Sequence, residues 1–182
     1  MRSRTRIVIA TAAIAAFAVF SAVSVAASPH FKKGGEPVCN FSGTLSIPVT
    51  CSGVLAGLGN QDLNIHLSVS GFALYQCQNG GGNIAPGQNR VLEGPAESDT
   101  AIPASAIKNG NLSFTTNPAT LTAAATVPGA VAGCPNSNWT GVNPVVTLTD
   151  ITLDIFQPVT TQIFHCTASN PNGLTSPAKL SC

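Results

Sequence analysis

The sequence predicts an all-β domain, an antiparallel, immunoglobulin-like β-sandwich stapled by disulfides, with a small β-barrel as the alternative. Three observations carry this. Apolar residues recur at every second position in several stretches, the period of a strand with one buried and one wet face. Clusters of Gly, Pro and Asn separate those stretches, in a chain with 17 glycines and 13 prolines among 182 residues, and such clusters are turn chemistry. Six cysteines follow an apolar N-terminal run, the usage of an oxidising compartment.

Residues 1–27 read as a secretory signal peptide. Arg2, Arg4 and Arg6 form a positive start, Ile7 to Ala27 is apolar and alanine-rich, and Val25-Ala26-Ala27 before Ser28 fits the small-residue cleavage rule. The competing reading is a retained membrane anchor, because the apolar run is long enough to span. Cleavage leaves a secreted, extracellular chain with no membrane attachment. Residues 28–38 then read as a flexible arm and 39–182 as a single β-sandwich domain, the mature length of about 155 residues being that of one domain.

The whole chain carries a formal charge of +1. From residue 28 onward Lys32, Lys33, Arg90, Lys108 and Lys179 stand against Glu36, Asp62, Glu93, Glu97, Asp99, Asp150 and Asp154, five cations against seven acids, a net −2. So few charges, without a basic patch, argue against a nucleic-acid partner.

Phe41 to Val54 reads as the first strand, with Leu45, Ile47 and Val49 on one parity. The turn Gly57-Leu58-Gly59-Asn60 leads into the longest alternation, in which Leu63, Ile65, Leu67 and Val69 are apolar and Asn64, His66, Ser68 and Ser70 polar. At Gly71 the larger apolar residues, Phe72 and Leu74, change parity. That predicts a bulge returning them to the buried face, or else a strand end covered on both sides. Asn79 to Asn89 reads as an irregular loop, because three glycines and Pro86 do not extend a ladder. It lacks the Lys-Ser/Thr pair and helix of a phosphate loop.

Arg90 to Ala101 is polar and reads as irregular. Pro103 to Lys108 reads as one helical turn, stopped by Asn109-Gly110. Leu112 to Val127 is strand, interrupted at Asn117-Pro118. Ala132 to Asn143 is loop. Val145 to Phe156 is strand with a phase slip at Thr149-Asp150, a second predicted bulge. Val159 to Thr167 is the last strand, and the tail turns at 169–173 and returns to Cys182.

Four segments, GLGNQD at 57–62, CQNGGGNIAPGQN at 77–89, IPASAIKNGN at 102–111 and CPNSNW at 134–139, resemble a group of small secreted bacterial proteins. These share a GLGN-type turn, a long strand, a Cys followed by a GGNxAPGQN-type loop, and a later CPNxNW segment. No activity is attached to the group. The resemblance implies a common fold with Cys77 and Cys134 in its shared core, and implies no catalytic residue.

Cys39, Cys51, Cys77, Cys134, Cys166 and Cys182 allow about 15 pairings, among which sequence alone does not choose. The preferred set joins Cys77 to Cys134, with support from the resemblance, and closes Cys39–Cys51 and Cys166–Cys182 locally. Cys51–Cys166 across the core is the rival. No C-x-x-C pair exists, against a zinc ribbon or thioredoxin-like site.

Catalytic chemistry is weakly encoded. His165, Asp150 and one of many serines make a triad on paper, but no G-x-S-x-G elbow supports it. Asp150 and Asp154 share a strand face and offer carboxylates for Ca²⁺, yet no D-x-D-x-D-G loop accompanies them and solvated carboxylates are the expectation. No cofactor or metal is expected. Trp139, Asn83, Gln88 and Asn89 form the candidate binding surface for an extracellular protein or glycan. The competing reading folds Trp139 onto the core beside Cys134. The expected function is a secreted, non-enzymatic binding or structural module. The alternatives are a small extracellular hydrolase using His165 and Asp150, and a protease inhibitor or small-ligand carrier presenting the 78–90 loop.

Overall fold

The structure, a computed structural model, describes residues 28–182. The segment read as a signal peptide lies outside the described residues. In chain order the strands are β1 (His30–Phe31), β2 (Val38–Phe41), β3 (Ser46–Ala56), β4 (Leu63–Gln78), β5 (Ile84–Pro86), β6 (Val91–Ile102), β7 (Leu112–Thr115), β8 (Ala119–Thr122), β9 (Val127–Pro128), β10 (Thr140–Phe156), β11 (Gln162–Ser169) and β12 (Ala178–Lys179). A 3-10 turn at Ala104–Ala106 falls where one helical turn is expected, and a single α-turn, α1, spans Gly129–Ala132.

The strands form two wholly antiparallel sheets packed as a sandwich. In the first, β3 is central, with β1 and β2 along one edge and β7 and β8 along the other, and β12 extends the sheet beyond β2. In the second, β4 and β10 are central, β5 and β6 flank β4, and β9 and β11 flank β10. Leu63, Ile65, Leu67 and Val69 of β4 meet Ile151, Leu153 and Ile155 of β10, Val49 and Leu55 of β3, and Leu121 of β8 in the core.

Both edges of the sandwich are tied. At one, the tail pairs with β2 and then with β11 through Ser181 and Thr167, so it crosses from one sheet to the other. At the other, Asn117 donates from its backbone N–H to Thr100 Oγ1 and from its amide to the Asp99 carbonyl, while Ser98 Oγ donates to the Asn117 carbonyl. Asn117-Pro118 breaks the ladder between β7 and β8, as expected. Thr116 repairs the gap by accepting from the Cys51 N–H with its hydroxyl and donating its own N–H to the Cys51 carbonyl.

The phase slip in β10 is a bulge at Thr149: Leu148 pairs with Gly71 and Asp150 with Ser70, leaving Thr149 as the extra residue. Val146 and Leu148 therefore point inward before it, and Ile151, Leu153 and Ile155 after it.

The expectation for Gly71 is corrected. β4 keeps one parity throughout, with Gly71, Ala73, Tyr75 and Cys77 inward, so Leu74 is exposed, while Phe72 lies on the outer face but is buried beneath Arg90, so that the alternative of a strand covered on both sides holds at Phe72 alone. The bulges sit in the partners, at Thr149 of β10 and between Glu93 and Ala96 of β6. Gly71 is required because its position lies hard against the bulged backbone of β10, where a Cβ would stand 2.0 Å from the Thr147 carbonyl oxygen.

Four further segments differ from expectation. Arg90 to Ala101, read as irregular, is largely β6, an edge strand bonded to β4. Its small, charged sequence carries little apolar alternation because only β4 pairs with it, and outward Glu97 and Asp99 suit an edge. The 79–89 loop contains β5, which folds back on the end of β4. The 28–38 segment, read as a flexible arm, pairs through β1 with Leu55 and Ala56, and Lys32 and Gly35 exchange backbone bonds with Val54. The first strand, expected over 41–54, is a β2–β3 hairpin, and Leu45 falls in its turn and is exposed.

Candidate functional site

All six cysteines are bonded as Cys39–Cys51, Cys77–Cys134 and Cys166–Cys182, the preferred set. Cys39 and Cys51 are direct cross-strand partners in β2 and β3. Cys166 lies on β11, and Cys182 ends the tail that crosses to the first sheet. Cys77–Cys134 joins the end of β4 to the loop after α1.

That third bond organises one end of the sandwich. The N–H groups of Gln88 and Asn89 both donate to the Ala132 carbonyl, the Asn89 amide donates to Val131 O, and Gly87 N–H donates to Tyr75 O. At the tip of the β4–β5 connection, Asn79 Oδ1 accepts from the N–H groups of Gly81 and Asn83. The glycine-rich loop is thus closed on itself by an Asn side chain, the local bonding that favours Asn in turns.

Of the residues proposed for binding, Asn83 and Gln88 are exposed at this end. Asn89 is exposed too, but its amide is committed to holding α1. Trp139 is half-buried and packs, with Cys134, against the core cluster, the folded-back arrangement rather than a free loop aromatic.

From this end an apolar strip runs along the outer face of the second sheet. Register places Ile84 beside Gln78, Val145 beside Leu74, and Leu92 beside Phe72. Leu92 is 87% exposed, Val145 52%, Ile84 48% and Leu74 42%. Four of the seven large apolar side chains exposed among the described residues therefore share one face, where scattered single exposures are the norm. Arg90 bounds the strip: its guanidinium sits 4.3 Å from the Phe72 ring centroid and donates to the Pro171 carbonyl at 2.9 Å. The side chain thus reaches from the β6 side of the face to the loop after β11.

Beyond Arg90 the face is polar. Asp99, His66, Asp154 and His165 are successive partners on β6, β4, β10 and β11, an alternating row across four strands. His66 Nδ1 is 3.1 Å from Asp99 Oδ1, and His165 Nδ1 is 2.6 Å from Asp154 Oδ1. An ionised carboxylate only accepts, so each Nδ1 carries its hydrogen. Bonds from the Asn64 amide, and then from His66, hold Asp99 below the usual carboxylate range. Its stabilising contribution is present above the ordinary Asp value and is lost as pH falls through the lowered one.

The His165–Asp150 pair of the hydrolase reading is not assembled. Asp154 is the carboxylate on His165, while Asp150 accepts from Thr149 and Ser169. Asp150 and Asp154 share the outer face but are engaged by separate donors, and no cluster of three metal-ligating side chains occurs among the described residues.

Reading the sequence alone misses one inward acid. Glu93 turns from β6 toward Tyr75, whose hydroxyl donates to the Ala124 carbonyl at 2.9 Å. Burial raises the Glu93 pKa above its ordinary 4.5. Tyr75 is itself raised by burial and by the Glu93 charge. A folded-state pKa above the unfolded one means stability that is fully present below the unfolded value and is lost as pH rises through the folded one. Glu93→Gln is therefore expected to unfold at a higher temperature than the parent at neutral pH, the two converging below about pH 4. Equal melting temperatures across that range would show that the inward carboxylate carries no penalty.

No family model, curated protein or solved structure matches the chain. Its fold and site define a class, a disulfide-stapled antiparallel β-sandwich with an apolar strip beside a polar His/Asp face. No helix among the described residues is long and apolar enough to cross a membrane.

Proposed function

We propose that this protein is an exported, extracellular binding module that engages a protein partner across the outer face of the β4–β10 sheet. The observation that supports this best is the co-facial exposure of Leu74, Ile84, Leu92 and Val145 next to a rigid loop cluster. Leu74, Leu92 and Val145 lie together, with Ile84 set apart from them by the hydrogen-bonded Gln76 and Asn143, and apolar side chains so rimmed by polar groups have the anatomy of an interaction surface. Arg90 stacked on Phe72 supplies the kind of cation–aromatic anchor enriched at interface hot spots. Three disulfides accord with an oxidising destination, which the signal-like N terminus would supply. A glycan partner is the weaker reading, because the single tryptophan is turned onto the core rather than offered for stacking on a sugar.

The test is a paired capture from the producer's culture supernatant and cell wall. The parent chain and Leu45→Asp, which alters an exposed apolar residue outside this face, should retain the same partner. Leu92→Asp should weaken retention by about 2 kcal/mol, or roughly thirtyfold. Equal retention by Leu92→Asp would place the interface elsewhere, and unprocessed protein confined to the cytoplasm would remove the export part.

A further inference from the structure

The opposite face of the sandwich offers a different chemistry. A groove of about 350 Å³ opens between the end of β1 and the turn before β7, lined by Lys32, Lys108, Asn111 and Ser113, with Val54 and Ala106 as its apolar part. None of the described residues lining it is acidic.

Local structure brings the two lysines together. The Lys32 N–H donates to the Val54 carbonyl, which fixes that lysine at the edge of β3. Lys108 opens a tight turn in which Lys108 and Asn111 exchange both backbone bonds at 2.9 Å. Its central residues, Asn109 and Gly110, have φ of 51° and 72°, the left-handed pair that Asn-Gly accommodates. Lys108 Nζ is held by the Ser105 carbonyl at 2.7 Å.

The wider charge distribution is lopsided. Lys32, Lys33, Lys108 and Lys179 belong to the first sheet or the turns against it, whereas Glu93, Glu97, Asp99, Asp150 and Asp154 all lie on strands of the second, where Arg90 is the one cation among the described residues. The other two acids are engaged by backbone donors: Asp62 accepts from the Ala104 N–H, and Glu36, which lines an adjoining groove, accepts from the Gly34 N–H. Two lysines thus line one concave site with no carboxylate in its wall. Their mutual repulsion falls when an anion enters, and low-dielectric walls strengthen its attraction.

We infer that this groove binds a phosphate-bearing ligand, its oxyanion between Lys32 and Lys108 and its apolar part on Val54 and Ala106. Two lysines attract this anion more strongly than a carboxylate, because a phosphate monoester carries nearly two negative charges where a carboxylate carries one. Ser113 supplies a neutral hydroxyl donor. The Asn111 amide N–H groups are used on the Lys108 and Asn109 carbonyls, which leaves Asn111 Oδ1 to accept from a ligand hydroxyl.

The experiment is an NMR titration of the secreted chain with inorganic phosphate, n-butyl phosphate and acetate. Saturable shifts at Lys108, Leu112 and Ser113 with either phosphate, and weaker ones with acetate, are expected. Tighter binding of butyl phosphate identifies an ester as the ligand, and tighter binding of inorganic phosphate identifies the free anion. Lys32→Gln and Lys108→Gln, both at exposed positions, should each weaken phosphate binding about tenfold, with unchanged melting temperatures. Lys179→Gln, on β12 and outside the groove, should leave binding intact. Shifts that rise linearly without saturation, or that weaken equally in Lys179→Gln, would overturn the site in favour of diffuse surface attraction.

Discussion

Removing the Cys77–Cys134 bond, by replacing both cysteines with serine, is expected to lower stability by about 4 kcal/mol, against about 3 kcal/mol for the Cys166–Cys182 bond. The ordering follows from the spans closed, 57 residues against 16. A longer closed loop removes more conformations from the unfolded chain, though only logarithmically. The longer bond also anchors the loop cluster, because Gln88 and Asn89 hang on Ala132, two residues before Cys134. Its loss should therefore raise amide exchange in Ile84–Asn89 as well as lower the urea midpoint. Replacing pairs avoids leaving a free thiol to rearrange the other bonds. If the Cys166–Cys182 double variant proved the less stable of the two, native packing at the tail would outweigh unfolded-state entropy.

Gly71→Ala is expected to cost about 3 kcal/mol or more, and to alter the pairing of β4 with β10. The added Cβ would stand 2.0 Å from the Thr147 carbonyl oxygen and 3.0 Å from its carbon. These are backbone atoms, so no side-chain rotation relieves the overlap. The close approach is a consequence of the Thr149 bulge, which presses β10 toward β4 at this point. Gly80→Ala is the matched comparison. Its Cβ would meet nothing within 4 Å, and the change should stay within about 0.5 kcal/mol. Urea denaturation of both variants decides the matter: a small effect at Gly71 would mean that the bulge relaxes freely.

The apolar and polar halves of the β4–β10 face make separate demands on a partner. Leu74, Leu92 and Val145 offer area to be desolvated, while Asp99 and Asp154 already accept bonds from their neighbouring histidines. Binding on the apolar half leaves those dyads hydrated and avoids the cost of burying a charge. The groove lined by Lys32 and Lys108 lies on the opposite sheet, so the two proposals can be tested independently of each other.

The features legible in the sequence are local. Alternation at 63–69 and 151–155 marks core strands, because a two-residue period has one meaning when one face is buried. The phase slip at Thr149-Asp150 marks a bulge, Asn117-Pro118 a break, and Asn109-Gly110 a turn, each through the backbone preferences of those residues. The cysteine pairing was narrowed to a preferred set and a rival, and the structure supplied the choice: Cys39 and Cys51 face each other across β2 and β3.

The remaining features depend on which strands pair. β6 has almost no strand signal of its own and exists because β4 offers it an unsatisfied edge. The parity of Phe72 and Leu74 followed the continuous β4 ladder and not their hydrophobicity, which is why Leu74 became part of the exposed strip. The Asp99–His66–Asp154–His165 row draws on residues as far apart as 66 and 165, and no sequence spacing encodes it. Strand register aligned those side chains, as it gathered the apolar strip beside them, because cross-strand neighbours are set by which backbones pair.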